Sequence, residues 1–347
     1  MAASDAAAAM GNLSLMDASE ASALLEKALQ SIKIKELAAA ADSAKQGTPH
    51  ILEHSMAPLD AFHEMAKREF GACPVQDGDK KLIGTLDLRD AVKFVVDVSS
   101  KKDDKDFAAN IAVTGGNKKS QIKGIESHPE VQKDNAGVSY LARMRPFKVY
   151  PEDSDLVDVA KVLSSGRHIV GCSDQDGALG KIITQKMLFA AVAPGLKAVT
   201  LHVEAIMTSP VISVKCDASA FEAFEAMTKR DVSGLAVVDS KGHLIHNVST
   251  NDIKLWVDHE SDHDLDINKT TIEDFLVTIR SSDKVKATAG KTRVPVCTVH
   301  PGESVGHAVG RMQSTGYHHV WVVDTNKKPV GVISMTDLFK MGTFVKK

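Results

Sequence analysis

ValValAspThrAsnLysLysProValGlyValIleSerMetThrAspLeu, residues 322–338, decides how the chain reads. It continues HisHisValTrpValValAsp (318–324), an apolar, β-branched run with strand character. ThrAsnLysLys (325–328) is a turn, ProValGlyValIleSer (329–334) is a returning strand, and Thr336 to Met341 opens a helix. Just upstream, ValProValCysThrVal (294–299) is extended. Ser304 to Met312 places Val305, Ala308, Val309 and Met312 on one helical face. The unit is therefore an extended segment, an amphipathic helix, a strand, a turn, a strand and a helix.

Working outward, the same order recurs three times. SerProValIleSerVal (209–214) leads to a helix with Phe221, Phe224 and Met227 inward. SerGlyLeuAlaValValAsp (233–239), a SerLysGly turn and HisLeuIleHisAsnValSer (243–249) follow. PheLysValTyr (147–150), a helix with Val159, Val162 and Leu163, HisIleValGlyCys (168–172) and LeuGlyLysIleIleThr (179–184) make another copy. The first copy has Phe62, Met65 and Ala66 on its helix, then GlyAlaCysProVal (71–75), an AspGlyAsp turn and LysLeuIleGlyThrLeu (81–86). Self-similarity at a spacing of roughly 65–100 residues is a repeat signature. A unit this small cannot bury both faces of its sheet alone, so neighbours must pair, the first with the second and the third with the fourth.

These units fix the expected organisation: residues 1–16 an Ala-rich disordered segment, 17–98 a helical lead-in and unit 1, 99–137 a polar linker, 138–195 unit 2, 196–258 unit 3, 259–291 a linker containing the helix ThrIleGluAspPheLeuValThrIleArg, and 292–347 unit 4. The fold class is α/β (α+β).

At the junction of the second strand and the closing helix, three units carry a small or acidic residue followed three places on by Asp: Asp87/Asp90, Ser249/Asp252 and Ser334/Asp337. The second unit has Thr184 but Met187 in place of the Asp. A Ser or Thr leaving a strand can cap the next helix, and the residue three on lies on the same side. A carboxylate there repels phosphate but accepts two hydrogen bonds from vicinal hydroxyls, as a ribose presents them, while free N–H groups at the helix end favour an anion. Capping alone explains one such pair. Three at the same point of one repeat point to a ligand.

The runs at 236–252 and 322–338 resemble CBS motifs, and four such repeats with the second Asp missing resemble the gamma subunit of the AMP-activated (SNF1-related) protein kinase family. LysArgAspValSerGlyLeuAlaValValAsp (229–239) and GlyTyrHisHisValTrpValValAsp (316–324) add to the likeness, which covers about residues 45 to 345. The resemblance implies two Bateman modules forming a pseudo-symmetric disc, with adenosine ligands (AMP, ADP or ATP) in clefts between repeats and no cofactor. It implies that Asp90, Asp252 and Asp337 hold riboses, with Thr184, Ser249 and Ser334 beside the ribose and phosphate. It places His168, Lys186, Arg280 and His318 on the phosphate side, though packing for His318, a surface role for Lys186 and a helix-dipole role for Arg280 stay open. Gly71, Ile169 and His319 stand where the family has arginines, and Asp87 replaces a hydroxyl residue.

Composition narrows the function classes. A net charge of -3 with mixed signs argues against nucleic-acid binding. No apolar run reaches membrane-spanning length, and the N-terminus has no basic-then-apolar signal pattern, so a cytosolic or nuclear protein is expected. Cys73, Cys172, Cys216 and Cys297 are far apart and read as free thiols rather than zinc ligands. HisGluSerAspHis (259–263) matches the zinc-protease signature, but Ser261, Asp262 and the AspLeuAsp that follows read as a solvated acidic linker. The expectation is a non-catalytic nucleotide-sensing subunit with kinase catalytic and scaffold partners. The alternatives are a free-standing CBS sensor of AMP, ATP or S-adenosyl compounds, and a hydrolase centred on His259 and His263.

Overall fold

The computed structural model describes residues 15–38, 49–100, 138–258, 266–281 and 296–343. The first fourteen residues, the polar linker from residue 101 to 137 and the HisGluSerAspHis segment lie outside them. The amphipathic lead-in is two helices, α1 (Ala18–Gln30) and α2 (Ile34–Ala38). Asp17 caps α1 and Glu20 closes the capping box, so the first turn has both ends of its polar backbone satisfied.

Four units then repeat one plan. Unit 1 comprises β1 (Leu52–Glu53), α3 (Pro58–Lys67), β2 (Ala72–Gln76), β3 (Leu82–Asp87) and α4 (Leu88–Ser100), followed by the short helix α5 (Ser139–Arg143). Unit 2 comprises β4 (Val149–Pro151), α6 (Leu156–Ser164), β5 (Ile169–Ser173), β6 (Leu179–Thr184) and α7 (Gln185–Leu196). Unit 3 comprises β7 (Ser213–Lys215), α8 (Ala220–Arg230), β8 (Gly234–Val238), β9 (Leu244–Ser249) and α9 (Thr250–Asp258), followed by α10 (Ile272–Arg280). Unit 4 comprises β10 (Thr298–Val299), α11 (Val305–Thr315), β11 (His319–Val323), β12 (Pro329–Ser334) and α12 (Met335–Thr343).

Each unit has a three-stranded sheet with its first strand parallel, and its third antiparallel, to the central one. The hairpin turn is built identically four times. The carboxylates of Asp77, Asp174, Asp239 and Asp324 each accept the backbone N–H groups two and four residues on. The residue three on takes positive φ: Lys80 (61°), Gly177 (81°), Gly242 (83°) and Lys327 (60°). Glycine adopts that backbone freely, whereas the two lysines are held there by the Asp turn.

The expected neighbours meet through their sheets. Ala236, Leu244, Trp321 and Val323 pack between units 3 and 4, and Thr85 of unit 1 donates to the carbonyl of Arg145 ahead of unit 2 (2.9 Å). The helices make a second, crossed pairing that sequence reading did not anticipate. One continuous core joins units 1 and 3 around Phe62, Met65, Phe224 and Phe275. The other joins units 2 and 4, with α1 and α2, around Leu25, Leu163, Met312 and Phe339. Each unit thus covers its sheet with one neighbour and its helices with another, which is how so small a motif buries both faces.

Two glycines set how closely the sheets approach. A Cβ on Gly84 would stand 1.9 Å from the carbonyl oxygen of Ala142, and one on Gly331 would stand 2.3 Å from the Met207 sulfur. In both, the segment leading into the neighbouring unit lies flat on the third strand.

Candidate functional site

The strand-to-helix junctions are equivalent in all four units. The first N–H of each closing helix donates back to the residue ahead of the central strand: Leu88 to Gly71, Gln185 to His168, Thr250 to Ser233 and Met335 to His318, at 3.0–3.2 Å. In each sheet the end of the third strand pairs with the start of the central one: Asp87 with Ala72, Thr184 with Ile169, Ser249 with Gly234, and Ser334 with His319. By this register Gly71 is the counterpart of His168, Ser233 and His318, whereas Ile169 and His319 correspond to Ala72 and Gly234.

The three carboxylates share one geometry. Oδ2 of Asp90, Asp252 and Asp337 accepts the backbone N–H of Asp87, Ser249 and Ser334 at 2.9, 2.7 and 2.9 Å. The hydroxyls of Ser249 and Ser334 donate to the same oxygen at 3.1 and 2.6 Å. Oδ2 therefore does the capping that local sequence predicts. What capping leaves over is Oδ1, and there the units differ. Asp90 Oδ1 is held by Arg145, Asp252 Oδ1 by Arg280 Nε at 3.0 Å, and Asp337 Oδ1 by the Thr208 hydroxyl at 3.0 Å. All three carboxylates are buried. In unit 2, Thr184 accepts the N–H of Met187 (3.2 Å), and the thioether at the Asp position is buried.

Arg145 and Thr208 were not singled out from sequence. Both follow Met144 or Met207 and precede a proline within two residues, in MetArgPro (144–146) and MetThrSerPro (207–210), ahead of units 2 and 3. That correspondence was the available signal. Arg280, expected on the phosphate side, instead clamps Asp252 with two nitrogens and also donates to the carbonyl of Asn247 (2.6 Å). The bidentate fork neutralises a buried carboxylate.

Unit 1 holds a denser charge cluster. Asp87 accepts from Arg89 (2.8 Å), lies 3.3 Å from Arg145 and 3.6 Å from His168 Nδ1, while Arg89 also reaches the carbonyl of Gly166. Burial works against ionisation of Asp87, but His168, Arg89 and Arg145 outweigh it and hold its carboxyl below the usual range. Asp90 is pushed the other way by burial and by the charge on Asp87, with Arg145 only partly compensating. Arg167 stands close to Arg145 and Arg89, and its Nη1 is buried without a hydrogen-bond partner among the described residues.

Three of the four basic residues expected on the phosphate side come together. His318 is exposed as a residue, yet the protein around its ring, and then the nearby His168, Lys186 and Lys254, push its pKa down to about 4. Burial, then Arg89 and Arg145, lowers His168 despite the opposing pull of Asp87. His319 is likewise lowered to about 4, by burial and by His318, and it faces Asp252 and Arg280. Units 2, 3 and 4 thus direct cationic or protonatable groups to one locus. Lys254 is an addition to the expected set. Among the described residues no group of three or more His, Cys, Asp or Glu side chains is arranged to hold a metal, and no helix is long and apolar enough to cross a membrane. The hydrolase signature at 259–263 lies outside those residues.

The CBS domain model matches residues 203–259 and 291–342, the third and fourth units. Protein sds23 of Aspergillus niger is 28% identical over 198 residues, covering 54% of this chain and 38% of that protein. Protein SDS23 of Yarrowia lipolytica is 25% identical over 322 residues, covering 78% and 63%. The chain spans less than two thirds of the length of these curated relatives. Among solved structures, a Methanocaldococcus jannaschii protein proposed to be an archaeal homolog of g-AMPK superposes with a TM-score of 0.60 at 17% identity, over 89% of this chain and 99% of that one. An uncharacterized conserved protein from Pyrococcus horikoshii gives a TM-score of 0.50 at 16% identity, with the same coverage. The fold is that of paired CBS domains; at these identities the gamma-subunit likeness is distant and speaks for the fold alone.

Proposed function

We propose that the chain is a non-catalytic sensor of adenine nucleotides that regulates another protein, with ligands seated at the strand-to-helix junctions of units 3 and 4. One observation carries this reading: at each of these junctions a buried carboxylate uses one oxygen to cap its helix and keeps the other, Asp252 Oδ1 or Asp337 Oδ1, for a partner from a different segment. A ribose diol can replace that partner. At Asp337 the hydrogen-bonded group to be displaced is a neutral hydroxyl, with the Lys340 ammonium farther off at 3.9 Å. At Asp252 and Asp90 it is a guanidinium, which costs more to release. Asp337 is therefore the primary site, with Ser334 beside it and the cations around His318 on the phosphate side.

The resemblance to kinase gamma subunits makes a kinase catalytic subunit, with its scaffold, the first partner to test by co-purification. A free-standing CBS sensor is the second reading, and the SDS23 names of the curated relatives favour it. Isothermal titration with AMP and ATP tests the ligand. Asp337→Ala is expected to weaken binding by about 1.5–3 kcal/mol, the range for hydrogen bonds to a charged group. Wild-type affinity in both Asp337→Ala and Asp252→Ala defeats the reading.

A further inference from the structure

Trp321 is the largest side chain in the layer between the sheets of units 3 and 4, where it packs with Ala236, Leu244 and Val323. The residue is 3% exposed, and its Nε1–H is buried with no hydrogen-bond partner among the described residues. An indole N–H left unpaired in a protein interior forfeits the bond it would make to water, so buried tryptophans ordinarily find an acceptor. Nothing in the packing of this layer requires a donor there. Phenylalanine or leucine would fill an apolar gap without that cost.

The surroundings indicate what the donor serves. His319, two residues earlier on the same face of β11, meets the indole edge to face, with ring centroids 5.3 Å apart at 78°. Its other side reaches the Asp252 junction: a Cβ on Gly234 would meet His319 Cε1 at 3.5 Å and the Ser249 Cβ at 3.8 Å. The pair therefore forms an aromatic path leading from the ribose-type carboxylate into the layer between the sheets. The counterparts of Trp321 in the other sheets, by register, are Pro74, Gly171 and Ala236, none of which has a side-chain donor.

Resting on the nucleotide reading above, we propose that Trp321 is a base-selecting residue of the Asp252 site. Its Nε1–H donates to an in-plane ring nitrogen of a purine that enters between the sheets from the Asp252 end, with His319 along the path. The other end of the same ligand would exchange with Arg280 at the carboxylate.

Two measurements test this. In an Asp337→Ala background, which leaves the Asp252 site, Trp321→Phe keeps an aromatic ring and removes the donor, so AMP binding there should weaken about five- to tenfold, the worth of one hydrogen bond, while ribose 5-phosphate binding stays unchanged. The chain has two tryptophans, so Trp256→Phe leaves Trp321 as the sole emitter with its own site intact. AMP should shift or quench that emission, and ribose 5-phosphate should not. Trp321→Phe binding AMP like its Asp337→Ala parent, or Trp321 emission unmoved at saturating AMP, overturns the proposal and leaves the nucleotide reading standing. A wild-type protein that binds no AMP defeats both.

Discussion

Asp87 is the residue that sets the first junction apart. Where units 2, 3 and 4 have Thr184, Ser249 and Ser334, unit 1 has a carboxylate that ties up Arg89, Arg145 and His168. Asp87→Ser should release these cations and remove a negative charge from the phosphate side. Two unit charges about 8 Å apart at an effective dielectric of about 20 interact by about 2 kcal/mol. AMP binding to the first junction should strengthen by about 1–2 kcal/mol, seen as an added site in calorimetric stoichiometry. Ligand-free stability should fall at the same time, because buried arginines lose their partner. Unchanged stoichiometry and affinity in the variant would show that Asp87 does not close this site. The histidines give a second residue-level consequence. His318, pushed down to about 4, is neutral at pH 6–8 without ligand, and His168 is held below its ordinary pKa. A phosphate beside them raises their proton affinity. Binding then takes up protons, and affinity is gained as pH falls from 8 to 6 and lost as it rises through the bound-state pKa. Titrations in buffers of different ionisation heat measure that uptake, with adenosine as the phosphate-free reference; the phosphate's own ionisation near pH 6 works against the effect. Equal uptake for AMP and adenosine would remove both histidines from the phosphate side.

At the scale of elements, the segments that lead into each unit do as much as the strands. Gly84 is pressed by the backbone of Ala142, and Gly331 by the side chain of Met207. A backbone carbonyl cannot swing aside as a thioether can. Gly84→Ala should therefore cost about 3 kcal/mol or more in chemical denaturation and Gly331→Ala only about 1–2, the lower end of overpacking costs. Equal losses would mean that the two lead-ins yield alike. The units themselves were legible because period-two apolar runs, Asp turns and helical stripes recur in order. The carboxylates were legible because their three-residue spacing repeats. Arg145 and Thr208 were not, since a lead-in has no periodicity and its role depends on a strand from another unit. The Arg280–Asp252 pair was not legible for the same reason: 28 residues separate the two, and only the fold brings them together.

Across the whole molecule, sheet contacts pair units 1 with 2 and 3 with 4, while the helical cores pair 1 with 3 and 2 with 4. Each junction therefore borders more than one unit, and a ligand seated there bridges elements that are distant in sequence. The basic groups at His168, Lys186, Lys254 and His318 come from three units, so a phosphate among them couples those units directly. This is what the proposed nucleotide sensor needs: ligand binding that changes how its own parts are held. Hydrogen–deuterium exchange with and without AMP tests it most directly. Saturating AMP should protect the strand-to-helix junctions at residues 247–254 and 332–339 and leave the equivalent segment around Met187 unchanged. Exchange that is identical with and without AMP at both Asp-bearing junctions, or protection centred on Met187, would contradict the assignment of these junctions as nucleotide sites.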